Sequence, residues 1–289
     1  MSISFKEDHI SQIPALLMLE KFGYTYLTPD EALALRGGNL ANVLLEPVLR
    51  KQLAAINVVQ VSSMRTTVFS EQNITAGIDA LRNIPMDEGF MEASQTVYDL
   101  LTSGKTLEQI VDGDRKSFVM QYIDWKNPRN NVFHVTEEFA VSRTGMTDTY
   151  RPDIVLFVNG IPLCIIECKR PDVKDSIEQA ISQHLRNQKA DGIRSLYLYS
   201  TLLLAINRQE GSYATTATPE KFWARWREQF ADREEEARYR QSRCWTTSSS
   251  GSDSAMCAAT LRSFTGSRSP RRCRTNTSTT SAGPNGCCS

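Results

Sequence analysis

The sequence has no long apolar run. No stretch approaches the roughly 18 to 20 consecutive apolar residues that cross a bilayer. The N-terminus MSISFKEDHISQ lacks the apolar centre of a signal peptide. A cytoplasmic protein with no membrane partner is therefore expected. Net charge is also missing, with 33 basic residues against 33 acidic. A field spread over the whole surface is thus not what would hold a nucleic acid; a local basic site or partner subunits would have to supply the grip. Histidine is scarce, at three residues, and the seven cysteines show no CxxC or His-paired spacing. That excludes the common zinc frameworks. Only Cys164 and Cys168 precede residue 240, and reduced thiols are the expected state.

Residues 240–289 lack more. They contain no Val, Ile or Lys, one Leu and one acid, against seven Arg and abundant Ser and Thr. Such a segment cannot bury enough apolar surface to offset roughly 1 to 2 kcal/mol per residue of backbone ordering. The expected organisation is a folded domain over 1–235 and a disordered Ser/Thr/Arg-rich tail over 236–289. The abrupt change is also what translation in a shifted reading frame would produce.

What is present begins as helix. Ile10, Ile13, Leu16, Leu17 and Leu19 recur at helical spacing and stop at Phe22-Gly23. A second amphipathic helix is predicted over about 42–56, a third from an N-cap at Ser70, and a fourth over about 89–101 with Gly104 at its C-terminus. From residue 117 the pattern turns to β-branched and aromatic runs, SFVMQYIDW, NVFHVTEEFAVS, DIVLFV and PLCIIECK, with breaks at Asn127-Pro128 and Asn159-Gly160. A charged helix follows over about 174–189, with Ile177, Ile181 and Leu185 inward. A buried strand is expected near 202–207, and a last helix, PEKFWARWREQF, from Pro219. The order predicts an α/β fold: a mixed sheet flanked by helices, with a helical insertion in the first half.

The chemistry centres on Asp153, Glu167 and Lys169. Phosphodiester hydrolysis needs a cation that polarises phosphate and acidifies a water. Mg²⁺ prefers oxygen ligands, usually one or two carboxylates with waters and substrate oxygens. Glu167 and Lys169 share a strand face because side chains alternate, while Cys168 points the other way. Glu167 also ends the apolar run Ile161–Ile166, where a charge without a role would be costly.

Asn159-Gly160 predicts the hairpin that joins the two acids, and its parity matters. A strict two-residue turn pairs residue 158 with 161, hence Asp153 with Ile166, and puts the acids on opposite faces. A three-residue turn with Gly160 in the left-handed position of a bulge pairs 157 with 161 and brings them to one face. The bulged turn is expected, or an irregularity near Pro152.

RPDIVLFVNGIPLCIIECKRP, AISQHLRNQK and TLLLAIN…YATTATPEKFWARW together resemble the N-terminal endonuclease region of type I restriction enzyme R subunits. GYTYLTP, LLEPVLRKQLAAIN and IDWKNPRNNVFHVTEEF extend the likeness over roughly residues 10–230. The resemblance implies a PD-(D/E)xK (restriction-endonuclease-like) fold and Mg²⁺-dependent cleavage of double-stranded DNA. It also implies assembly with methyltransferase and specificity subunits. Carried over by position, Asp153, Glu167 and Lys169 match the catalytic set, with Asp153 and Glu167 as metal ligands. Glu46 matches an acid that often completes the metal site. Family members place Gln then Tyr four residues apart on the helix after the ExK strand. Here Gln183, expected to bond a phosphate or a metal-bound water, is followed by Asn187. The ATP-driven translocase domains of R subunits are not recognised, so ATP is expected only for those missing motor parts.

Other candidates have blander readings. Gly104-Lys105-Thr106 imitates a P-loop but has Asp99 where glycine is needed. His184 reads as a helix-surface histidine, and His134 has no metal-ligand companion in sequence. Trp223 and Trp226 read as core anchors. Lys169, Arg170, Lys174, Arg186, Lys189 and Arg194 are either a phosphate-neutralising cluster or a solvated face. Two other functions stay open beside the restriction nuclease: a non-catalytic subunit that only docks on a methyltransferase and specificity complex, and a stand-alone repair nuclease.

Overall fold

The computed structural model describes residues 12–62, 65–207 and 210–226, with residue 233 in isolation. The tail over 236–289 and the expected helical residues 227–230 lie outside them.

Seven helices and thirteen strands are described. The helices are α1 (Ile13–Lys21), α2 (Pro29–Ala34), α3 (Glu46–Ile56), α4 (Glu71–Arg82), α5 (Phe90–Ser103), α6 (Ser176–Asn187) and α7 (Arg194–Tyr197). The strands are β1 (Thr25–Leu27), β2 (Val58–Ser62), β3 (Arg65–Val68), β4 (Lys105–Val111), β5 (Asp114–Met120), β6 (Phe133–Glu137), β7 (Val141–Ser142), β8 (Thr149–Tyr150), β9 (Ile154–Val158), β10 (Ile161–Cys168), β11 (Leu202–Ile206), β12 (Gly211–Ala214) and β13 (Ala224–Arg225).

Strands β9 and β10 stand at the middle of a mixed seven-stranded sheet, ordered β1-β6-β9-β10-β11-β12-β13. β1 runs parallel to β6 and β11 parallel to β10; the remaining pairs are antiparallel. Every residue of β9 and β10 is buried. A strand covered on both faces needs no polar alternation, which is why these segments read as continuous apolar runs. One face, with Ile154, Leu156, Cys164, Ile166 and Cys168, packs against Ala15, Leu16 and Leu19 of α1. The other, with Val155, Phe157 and Ile165, receives Leu49 and Leu53 of α3, Ile74 and Ile78 of α4, and Val97 of α5. Helix α6 covers this second face beside β11, through Ile177, Ala180 and Ile181 against Ala205. This is the α/β architecture of a restriction-endonuclease-like fold, with the insertion between α3 and β6 as expected. Among the described residues no helix is long and apolar enough to cross a membrane.

Local signals act where the sequence places them. Ser70 caps α4 by accepting from the Asn73 amide at 3.2 Å. Gly89 and Gly104 bound α5, both with positive φ. The latter settles the P-loop imitation, because α5, Gly104 and β4 run helix to strand, the reverse of a phosphate-binding loop.

Three expectations are corrected. The strand over SFVMQYIDW ends at Met120 and pairs with β4 in a separate hairpin. Tyr122 beyond it turns inward to donate to the Gly77 carbonyl at 2.6 Å. The helix from Pro219 is instead a 3-10 turn, Glu220–Phe222, followed by the edge strand β13. Trp223 is held there by its indole N–H to the Thr218 carbonyl at 3.2 Å and by the His184 ring. The Trp226 amide bonds to Gly211 at 2.8 Å, so edge pairing wins over helix propensity. Finally, the second helix begins at Glu46, and residues 42–45 are not helical.

A fourth correction concerns the parity of the hairpin itself. Its turn has two residues, Asn159 (φ 54°) and Gly160 (φ 85°), pairing Val158 with Ile161 and Phe157 with Pro162. The extra residue enters further on. The register shifts between Pro162 and Cys164, after which Leu156 faces Cys164 and Ile154 faces Ile166. One step more sets Asp153 opposite Glu167. The irregularity thus sits in β10, neither at Gly160 nor near Pro152.

Candidate active site

Asp153 lies just before β9 and Glu167 one residue before the end of β10. Opposed residues of an antiparallel pair share a face, so the bulge at Leu163 is what brings the two carboxyls together. The Asp153 carboxylate accepts the Cys168 amide N–H at 2.6 Å. Backbone contacts fix its strand end, with Glu138 N–H to the Asp153 carbonyl at 3.0 Å and Phe139 N–H to the Pro152 carbonyl at 3.2 Å. On the other sheet face the buried Gln12 amide reaches the same Asp153 carbonyl at 3.2 Å and Glu137 at 3.1 Å, while Tyr26 donates to Glu137 at 2.6 Å. Gln12, Tyr26 and Glu137 were not singled out as site residues from the sequence.

Glu167 is fully buried. Burial pushes its carboxyl well above the usual range, and the neighbouring Asp153 carboxyl pushes the same way; Lys169 and Arg186 oppose them. Two donors from α6 meet it, Gln183 Nε2 at 2.6 Å and, longer, Asn187 Nδ2 at 3.5 Å. Lys169 follows on the same face at the rim, and its amide bonds to the Ile206 carbonyl at 2.9 Å, which anchors it to β11. Outside the acids opens a groove of about 690 Å³ lined by Lys169, Arg170, Gln179, Ser182, Gln183 and Arg186.

Of the residues singled out, the structure therefore brings Asp153, Glu167, Lys169 and Gln183 together. It does not bring Glu46. Helix α3 docks on the hairpin turn, with the Leu45 amide bonded to the Gly160 carbonyl at 2.9 Å. That is the far end of β10, roughly 20 Å from Glu167 by strand rise. There Glu46 pairs with Arg82 and, at 3.8 Å, Arg50. The cation cluster divides too. Lys169, Arg170 and Arg186 line the groove. Arg194 is turned to the Gln188 carbonyl at 2.8 Å and over the Phe90 ring.

His184 corrects the surface reading, because it is fully buried. Nε2 lies 3.0 Å from the Leu204 carbonyl and Nδ1 2.9 Å from the Tyr197 hydroxyl. Burial drives its pKa down to about 4. Tyr197, on the short helix α7, gave no sequence signal; it is fully buried, and burial pushes its phenol pKa up, with Glu167 adding to the shift.

Two carboxyls from neighbouring strand ends, with amide donors behind one of them and cations along the rim, are a hard donor set. Among the described residues no group of three His, Cys, Asp or Glu could hold a metal. A Mg²⁺-type site, which takes one or two carboxylates and completes its shell with water and substrate oxygens, fits this set.

The family model described as the type I restriction enzyme R protein N terminus matches residues 4–222. A putative type I restriction enzyme MjaIXP endonuclease subunit of Methanocaldococcus jannaschii is 27% identical over 227 residues, covering 76% of this chain and 20% of that protein. The MjaVIIIP endonuclease subunit of the same organism, also putative, is 30% identical over 175 residues, 59% of this chain and 15% of its own length. The type I restriction enzyme HindI endonuclease subunit of Haemophilus influenzae is 28% identical over 206 residues, 68% of this chain and 18% of its own. The chain thus spans about a fifth or less of the length of these relatives.

Proposed function

Since the chain belongs to the family of type I restriction enzyme R protein N termini, we propose that it is a Mg²⁺-dependent endonuclease domain hydrolysing phosphodiester bonds of double-stranded DNA. The observation that carries this reading is the meeting of Asp153 and Glu167 on one face of the β9–β10 hairpin, beside Lys169 and Gln183.

Asp153 and Glu167 would hold the cation. When bound, Mg²⁺ supplies charge for the phosphate and lowers the pKa of a water. Lys169 would orient the attacking water and steady developing negative charge. Gln183 would keep one Glu167 oxygen in place. Arg170 and Arg186 would take flanking phosphates in the groove. The neutral overall charge makes this grip local. In this reading, methyltransferase and specificity subunits supply the DNA target, and an ATP-driven motor belongs to other parts of an R subunit.

The test is nicking of supercoiled plasmid with Mg²⁺ or Mn²⁺, run beside calorimetric cation titration. Slow nicking and binding by the wild type, both lost in Asp153→Ala, are expected. Nicking that survives in Asp153→Ala, or a wild type that binds no divalent cation, would overturn the reading.

A further inference from the structure

Arg186 is a groove cation that the fold holds in place without neutralising. We propose that it is the principal seat for a DNA phosphate beside the two acids, and that Tyr150 is the positioning residue that aims it. The inference rests on the nuclease reading above and adds to it a residue that does not line the groove.

The cations at the groove differ in what surrounds them. Arg170 is paired with Asp172, through Nε at 2.9 Å and again through Nη2, so its charge is offset before any ligand arrives. Arg186 is exposed on α6 and forms no ion pair among the described residues. Its guanidinium has two neutral neighbours instead. The Asn187 carbonyl oxygen accepts from Nε at 3.4 Å and from Nη2 at 3.3 Å, and the Tyr150 ring centre lies 4.7 Å from the guanidinium carbon. An aromatic face attracts a guanidinium without cancelling its charge. Nη1 takes no partner among the described residues, which leaves the planar fork open to phosphate oxygens. An arginine already held this way loses less side-chain freedom when a phosphate binds.

Tyr150 is itself fixed. It pairs with Val141 across the β7–β8 hairpin. Arg143 sits over the same ring at 4.5 Å and, unlike Arg186, is neutralised, by Asp148 at 3.0 Å and Asp191 at 2.6 Å. Its Nε donates to the Asp191 carbonyl at 2.9 Å, and the Thr144 amide donates to the Gly192 carbonyl at 3.0 Å. These bonds tie the hairpin to the loop that follows α6. They set the span between Tyr150 and Arg186. Tyr150, Arg151, Pro152 and Asp153 are consecutive, so the segment that delivers one of the two acids also delivers the ring that steers the cation.

Fluorescence anisotropy of a labelled DNA duplex with the whole chain, in EDTA so that no cutting intervenes, tests the proposal across a salt series. Arg186→Ala is expected to weaken binding about tenfold. It should also lower the slope of log affinity against log salt by about 1. Tyr150→Leu is expected to weaken binding about threefold, while Tyr150→Phe, which keeps the ring, binds as the wild type does. In the Arg186→Ala background Tyr150→Leu is expected to cost nothing further, which a ring serving only the fold would not produce. If Tyr150→Leu fails to fold, Arg186→Lys decides. It keeps the charge without the planar fork, and is expected to restore the slope but not the affinity. Wild-type binding by Arg186→Ala or Tyr150→Leu, losses that add, or full rescue by Arg186→Lys overturns the inference and leaves the cation site, read by calorimetry, standing. A wild type that binds no duplex overturns the DNA reading with it.

Discussion

Asp153 and Glu167 face each other across β9 and β10 because Leu163 is an extra residue in one strand. With a two-residue turn at Asn159-Gly160 and a regular ladder, Asp153 would stand opposite Ile166, and the two acids would lie on opposite faces. The shift between Pro162 and Cys164 corrects the count. Strand bulges of this kind re-aim side chains beside active sites.

Replacing Glu167 by Gln should raise the melting temperature of the cation-free protein by a few degrees. The folded-state pKa of Glu167 is raised by burial, so its favourable contribution is present below the ordinary carboxyl range. It is lost as pH rises from there through the folded value. Wild-type melting should therefore fall as pH rises above about 4.5, and divalent cation should restore it. Glu167→Gln should show neither effect, and differential scanning calorimetry with and without Mg²⁺ reads both.

His184 titrates with the opposite sign. Its folded pKa is depressed to about 4, so the fold keeps the neutral ring and loses stability as pH falls through the window from 6.5 to 4. The contribution is at most about 3 kcal/mol. Chemical denaturation across that window should show the loss, and His184→Gln should flatten it.

Gly160→Ala should cost about 2 to 4 kcal/mol. The residue has φ 85°, and a Cβ would sit 2.6 Å from the Leu45 carbonyl oxygen and 3.1 Å from the Leu49 nitrogen. The start of α3 rests on that turn. Urea unfolding measures the loss.

Glu46→Ala should leave divalent-cation affinity unchanged and alter stability by less than about 1 kcal/mol. Its partners Arg82 and Arg50 are part-exposed at the turn end of the hairpin. Calorimetric titration of this variant beside the wild type distinguishes a surface ion pair from a distant metal ligand.

Much of the fold was legible in the sequence because local chemistry and tertiary context agree there. The Ser70 cap, Gly89 and Gly104, and the doubly buried runs of β9 and β10 stand where the residue patterns predict. The site strands were legible for the same reason, since Glu167 closes an apolar run. The place of the bulge carried a signal that spacing alone overlooks. Pro162 has no N–H to give a ladder, and proline in a strand marks an irregularity. The Thr28 to Glu31 capping box of α2 was also readable, but that helix is only six residues long. What could not be read are matters of packing. His184 has a surface-like sequence neighbourhood and is buried by Tyr197, Leu204 and Trp223. Glu46 lies on an amphipathic helix whose docking point, the Gly160 turn, is set by contacts distant in sequence.

The most direct measurement is a crystal structure of the chain soaked in Mn²⁺, read from its anomalous signal. A single strong peak is expected within coordination distance of one Asp153 oxygen and one Glu167 oxygen, with Gln183 still on Glu167. A peak at Glu46, or carboxyls of Asp153 and Glu167 that turn apart and bind no ion, would contradict the shared-cation site.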